Sequence, residues 1–168
     1  MIEIDLRTIK GEIVASHDEK PKAAHPPKLA EILNTIKHPL NLEVKESGFE
    51  LELVQAIKGF PSEVLISSKK LEVLEKIRTL DGRVRLGLVL SKGNFYLLPK
   101  IKTIDQKLDL YSIHPEMFLT KKPLVRYLKT LKKLIFVWTV NSPKQFHRFQ
   151  ALGVDGVFTD YPNLFKHE

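Results

Sequence analysis

Cysteine is absent from the 168 residues, which removes disulfide frameworks, thiolate zinc sites and cysteine nucleophiles together. No uninterrupted apolar run of about 18 residues occurs, so a membrane-spanning helix is not expected. The opening Met-Ile-Glu-Ile-Asp places two acids where a secretion leader would need a basic and then an apolar stretch, and a cytoplasmic location is expected. Repeats, low-complexity tracts and linkers are missing too. The one loop-like stretch is Glu19–Pro27, with three prolines and two lysines. Residues 1–168 are therefore expected to form one domain, since 43% hydrophobic and 28% charged residues can build a core and are too apolar for disorder.

The 27 basic against 20 acidic side chains leave a net charge of +7, which suits an anionic partner. The lysines are scattered, however, and mix with glutamate, as in Lys69-Lys70-Leu71-Glu72-Val73-Leu74-Glu75-Lys76. They read as a solvated surface, and with no accompanying motif no nucleic-acid partner is expected. Many lysines, glutamates and isoleucines beside few amides also give the chain a thermophilic cast.

Short apolar runs alternate with helical periodicities. Strands are expected at Ile2–Arg7, Leu40–Lys45, Val64–Ile66, Val84–Leu90, Leu110–Ile113, Leu134–Val140 and Val157–Thr159, with a further short run at Ile13–Ser16. Helices are expected after Pro27, through Leu51–Ile57, through Leu71–Ile77, weakly over 94–107 where Pro99 interrupts, over Leu124–Leu131, and from Ser142-Pro143 to Leu152-Gly153. Strict alternation predicts an α/β fold with a parallel sheet and helices outside it. An eight-unit TIM-type barrel needs roughly 250 residues and seldom fewer than about 200. Seven units in this length point to an incomplete (β/α) barrel, not a compressed complete one.

The chemistry-bearing residues follow from strand geometry. Glu3 and Asp5 stand two apart, so their carboxylates share a face. On an interior face two unpaired charges would need a cation or hydrogen-bonded partners, and oxygen donors side by side suit Mg²⁺ or Ca²⁺. The plainer alternative is an edge strand whose acids face water. Glu43 and Lys45 repeat the pattern on the next major strand, where a third carboxylate would complete a metal site and a lysine could meet a phosphate oxygen; an ordinary Glu-Lys surface strand reads the same way. His17-Asp18 falls at a strand end, where barrel enzymes place reactive groups, and an imidazole there can act as general acid or base. His114 also stands at a strand end. His25, His38, His147 and His167 read as loop or helix-surface residues. Trp138, the single tryptophan, ends a strand and could wall a ligand or simply pack in the core.

Taken in order, these segments resemble the glycerophosphodiester phosphodiesterase family. The carriers are Ile2-Glu3-Ile4-Asp5-Leu6-Arg7-Thr8 with Gly11 and His17-Asp18, then Leu42-Glu43-Val44-Lys45 and Leu65-Ile66-Ser67-Ser68. Trp138-Thr139-Val140-Asn141 and Gly153-Val154-Asp155-Gly156 through Thr159-Asp160-Tyr161-Pro162 complete the set. The resemblance implies a TIM barrel that hydrolyses glycerophosphodiesters to glycerol 3-phosphate and an alcohol with a divalent metal, Mg²⁺ or Ca²⁺. It implies Glu3, Asp5 and Glu43 as metal ligands, His17 and Lys45 as catalytic groups, Lys45 also on the phosphate, and Trp138 against the glycerol part. A catalytically weak or inactive metal- and phosphate-binding module of the same descent is the alternative.

The chain departs from the family pattern in two places. No His-Arg-Gly motif and no Pro-Glu-Asn-Thr helix start occur, so the sequence reads from the family's second strand onward. The segment after His17-Asp18 is only Glu19–Pro27, where the family inserts a small subdomain, and a more open pocket is expected. Free sheet edges at Ile2–Arg7 and Val157–Thr159 would invite self-association.

Overall fold

The turn Lys10-Gly11 sets the first piece of the architecture. Both residues have positive φ, 50° and 81°, the backbone that lets a two-residue hairpin follow the twist of its strands. β1 (Ile2–Ile9) folds back on β2 (Glu12–Ala15) as an antiparallel ribbon, with Ile9 opposite Glu12 and Leu6 opposite Ala15. This corrects only the C-terminal part of the expected free edge at Ile2–Arg7, since Ile2–Ile4 lie beyond the pairing with β2. β2 covers β1 from Leu6 to Ile9, and the Ser16 N–H donates to the Asp5 carbonyl at 2.9 Å. Hydrophobic alternation does not show this pairing, because it depends on the chirality of the turn.

The computed structural model describes residues 1–165 and divides into two compact units, Met1–Leu86 and a second from Gly87 onward. In the first, β3 (Leu40–Val44) lies parallel to β1, and β4 (Val64–Ser68) parallel to β3, in the order β2-β1-β3-β4. The helices are α1 (Leu29–Thr35), α2 (Glu50–Ala56) and α3 (Leu71–Leu80). Leu6, Leu40, Leu42, Val44, Leu53, Leu74 and Ile77 form its buried core. On β3 the apolar residues Leu40, Leu42 and Val44 take one face, leaving Asn41 and Glu43 on the other. The register sets Asp5 beside Glu43 and Glu43 beside Ser67.

The boundary between units falls inside β5 (Arg85–Leu90). In the second unit β5, β6 (Ser112–Pro115), β7 (Leu134–Val137) and β8 (Gly156–Val157) run parallel in that order. The weak helix expected over 94–107 is a 3₁₀ helix, Lys92–Lys100, followed by α4 (Ile101–Leu108). Pro99 lacks the N–H that a continuous α-helix needs. α5 spans Lys122–Thr130 and α6 Pro143–Leu152. α6 starts as read from the sequence. The Ser142 hydroxyl accepts from the Gln145 N–H at 3.3 Å, Pro143 takes the first turn, and Gly153 ends the helix at φ 80°. Three parallel strands in the first unit and four in the second account for the seven expected β units among the described residues.

Candidate active site

Alternation along β1 and β3, combined with their register, gathers the acids of the first unit. One carboxylate oxygen each from Glu3, Asp5 and Glu43 lies within 4.8 Å of the others. Lys45, two residues beyond Glu43 and on the same face, places its Nζ 2.8 Å from Glu43 Oε1 and 2.9 Å from Asp5 Oδ1. The cluster holds three formal negative charges and one positive charge when fully ionised. Glu3 is exposed at the edge of the cluster, whereas Asp5 and Glu43 are half-buried. Partial desolvation pushes the Glu3 carboxyl above the usual carboxylate range, and the charges of Asp5 and Glu43 push the same way against Lys45. For Lys45, burial opposes the charge, but Glu43 and Asp5 overcome it and hold the ammonium above its ordinary range.

Two polar residues on the same interior face were not singled out from the sequence. Asn41 is the register partner of Glu3, and Ser67 that of Glu43. Both are buried, and Asn41 Oδ1 and Ser67 Oγ have no hydrogen-bond partner. A buried oxygen left in that state costs about 1–3 kcal/mol, so two of them beside a triad of carboxylates fit a site that takes a hydrated hard cation. The donor set is all oxygen, which suits Mg²⁺ or Ca²⁺ better than a softer metal.

His17 lies two residues past β2, with its side chain 73% exposed and its Nδ1 2.7 Å from Asp18 Oδ1. That hydrogen bond holds the Asp18 carboxyl below the usual range. His17 lines a cavity of about 540 Å³ together with Glu43, Lys45, Arg7, Lys69 and Lys70. The structure thus brings His17, Glu43 and Lys45 onto one cavity, and Glu3 and Asp5 onto the carboxylate cluster that shares Glu43.

Arg7 ties the His17 loop to the sheet. Its Nε donates to the His17 carbonyl at 3.1 Å, and its guanidinium meets Glu46 at 3.0 Å. Glu46 also accepts from the Thr8 N–H at 2.7 Å and the Thr8 hydroxyl at 2.6 Å. Arg7 stands in the quoted β1 segment, but its partners are 10 and 39 residues away, so its role could not be read from sequence.

The remaining strand-end candidates belong to the second unit. Trp138 donates its indole N–H to the His114 carbonyl at 2.7 Å. His114 itself is fully buried, bonded to Ser112 Oγ at 2.7 Å and packed 5.5 and 5.1 Å from the rings of Phe136 and Phe158. Burial pushes its imidazole down to about 3, which makes it a neutral core group. His167 lies outside the described residues.

Residues 23–164 match the glycerophosphoryl diester phosphodiesterase family. This chain belongs to that family. A glycerophosphodiester phosphodiesterase of Caldanaerobacter subterraneus subsp. tengcongensis is 30% identical over 130 residues, covering 73% of this chain and 52% of that protein. One from Bacillus altitudinis is 30% identical over 171 residues, covering 92% of this chain and 66% of that protein. The chain thus spans between about half and two thirds of these relatives' length. Among solved structures, an Oleispira antarctica phosphodiesterase in complex with the product sn-glycerol-3-phosphate superposes with a TM-score of 0.84 at 21% identity. That match covers 95% of this chain and 81% of the other. The glycerophosphodiester phosphodiesterase of Thermotoga maritima gives 0.77 at 24% identity, covering 97% and 82%. These likenesses establish the fold of this family member as α/β of the TIM-barrel kind, with which an incomplete barrel is consistent. No helix among the described residues is long and apolar enough to cross a membrane.

Proposed function

We propose that this chain hydrolyses glycerophosphodiesters to glycerol 3-phosphate and an alcohol, using a divalent cation held by Glu3, Asp5 and Glu43. The observation that carries the reading is the convergence of three carboxylate oxygens within 4.8 Å, beside a cavity that Glu43 shares with Lys45 and His17. Family membership and the sn-glycerol-3-phosphate product in the Oleispira antarctica structure support the substrate class. When bound, Mg²⁺ or Ca²⁺ supplies the positive charge that neutralises phosphoryl oxygens. Lys45 contributes a second, mobile charge to the phosphate. His17, oriented through Nδ1 by Asp18, carries a proton to the leaving alkoxide from its other ring nitrogen. The family resemblance assigns the glycerol contact to Trp138.

A second reading keeps the ion and phosphate site as a binding module without turnover. Among the described residues His17 is the single imidazole lining the cavity, and proton transfer by one positioned side chain contributes about 10²–10⁴ in rate. The deciding experiment combines calorimetric titration with Mg²⁺ and Ca²⁺ and an assay for glycerol 3-phosphate release. Heat of binding with metal-dependent release that His17→Ala abolishes supports the enzyme. Binding without release supports the module, and no heat from folded protein removes both.

A further inference from the structure

Three large aromatic side chains stand in solvent on two neighbouring segments of the second unit. Phe95 and Tyr96 lie on the 3₁₀ helix that follows β5, and Phe118 on the loop that follows β6. Their exposures are 42%, 69% and 63%. The two segments are held together. The Lys92 backbone N–H donates to Glu116 Oε2 at 3.1 Å, and the Lys92 ammonium sits 5.5 Å from the centre of the Phe118 ring. The patch is therefore built across two loops.

Its charge is one-sided. From Ser91 to Thr103 the sequence has Lys92, Lys100 and Lys102 and no acid. From Met117 to Arg126 it has Lys121, Lys122 and Arg126 and no acid. All six cations are exposed. The second acid-free stretch continues to Val154 and includes Lys129 and Lys133, but Lys129 pairs with Asp155 and Lys133 with Asp105 and Asp109. Exposed aromatic rings among an excess of lysines are the chemistry of an interfacial membrane contact. The rings enter the headgroup region, and the cations meet anionic lipid.

We propose that Phe95, Tyr96 and Phe118, with the lysines of their two segments, form a docking surface for an anionic lipid bilayer. Six exposed cations against the single carboxylate of Glu116, which lies where the two segments meet, match the uniformly negative face of an anionic bilayer. The surface goes beyond the catalytic reading, because docking requires neither the carboxylate cluster nor turnover.

The test is co-sedimentation of the full chain with unilamellar vesicles of phosphatidylcholine alone and of phosphatidylcholine with phosphatidylglycerol. The wild-type chain is expected to pellet at least about ten-fold more with the anionic vesicles at low salt, and to release at high salt. Replacing both Tyr96→Ser and Phe118→Ser is expected to lower that binding about ten-fold or more. Lys121→Glu with Lys122→Glu gives an independent charge variant, expected to lose roughly five-fold per lysine. All four side chains are exposed, so the far-UV circular dichroism of both variants should match the wild type. Absence of binding to anionic vesicles, or binding that neither variant changes, overturns the proposal. A dimer in sedimentation equilibrium that Phe118→Ser dissolves, without vesicle binding, overturns it in favour of a second copy of the chain. Failure here leaves the hydrolase reading intact, since no substrate enters the measurement.

Discussion

The buried imidazole of His114 gives a quantitative expectation about acid stability. Folded, the ring is neutral with its pKa pushed down to about 3, whereas in an unfolded chain it titrates near 6.5. A depressed folded value means that protonation favours unfolding. Stability is full above about pH 6.5 and falls with acid until the folded group itself titrates near 3. Each pH unit inside that window removes about 1.4 kcal/mol, so the whole window removes about 5 kcal/mol, a large part of the usual 5–15 kcal/mol of a domain. The groups around the ring are Ser112, Gly87, Phe136 and Phe158, none of which can supply a compensating negative charge. The assay is urea unfolding of wild type and His114→Gln at pH 7, 6 and 5, where the difference between the two proteins cancels every other titrating group. The difference should move by about 2 kcal/mol between pH 6.5 and pH 5, with the wild type losing more. A difference that stays flat across that range would refute the reasoning. Should His114→Gln not fold, the imidazole proton signals of the wild type report the same titration directly.

Gly87→Ala is expected to cost about 1–3 kcal/mol in urea unfolding, because a Cβ there would lie 2.8 Å from the His114 ring. Part of that loss should return when a smaller side chain replaces His114. Arg7→Met should lower kcat about ten-fold by loosening the His17 loop, with calorimetric Mg²⁺ affinity unchanged; equal turnover would dismiss the clamp. Glu50→Ala should destabilise the protein by about 1–3 kcal/mol, since its buried carboxylate accepts from the Gly48 N–H at 3.1 Å and meets Lys76 at 2.8 Å. Lys45→Met removes the ammonium that Asp5 and Glu43 hold, so divalent-ion affinity should rise in calorimetry while turnover falls about 10²–10³-fold. A weaker ion affinity in Lys45→Met would contradict that account.

What the sequence made legible was whatever depends on period. Glu3 with Asp5, and Glu43 with Lys45, share faces because side chains alternate along a strand, and Ser142, Pro143 and Gly153 frame α6 through local backbone chemistry. What it concealed depends on partners distant in the chain. His17 and His114 both follow short apolar runs. Only the structure separates an exposed ring bonded to Asp18 from one enclosed by Gly87, Phe136 and Phe158. Asn41 and Ser67 became part of the carboxylate face only when the register of β1, β3 and β4 was known. The β1–β2 hairpin was hidden for a related reason. The run Ile13–Ser16 looks like any short strand, and its antiparallel sense comes from the positive φ of Lys10 and Gly11.

Two of the cations that line the cavity, Arg7 and Lys45, are chemically different, and their surroundings explain the division. Arg7 uses its planar fork to fix backbone, reaching the His17 carbonyl and Glu46 from a side chain only 16% exposed. Such a group is costly to move, because each donor has a fixed direction. Lys45 is equally enclosed at 13%, but its ammonium is a point charge on a flexible stem, with Asp5 and Glu43 as interchangeable partners. A lysine can balance the carboxylates when no divalent ion is among them and turn to a phosphate oxygen when one is. An arginine at position 45 would hold the acids in a fixed bidentate geometry and compete with the ion throughout the cycle. The face-sharing of Glu43 and Lys45 along β3 is therefore more than charge pairing. It places an exchangeable counter-charge one strand repeat from Glu43, which is what the proposed cation site needs in order both to fold and to bind.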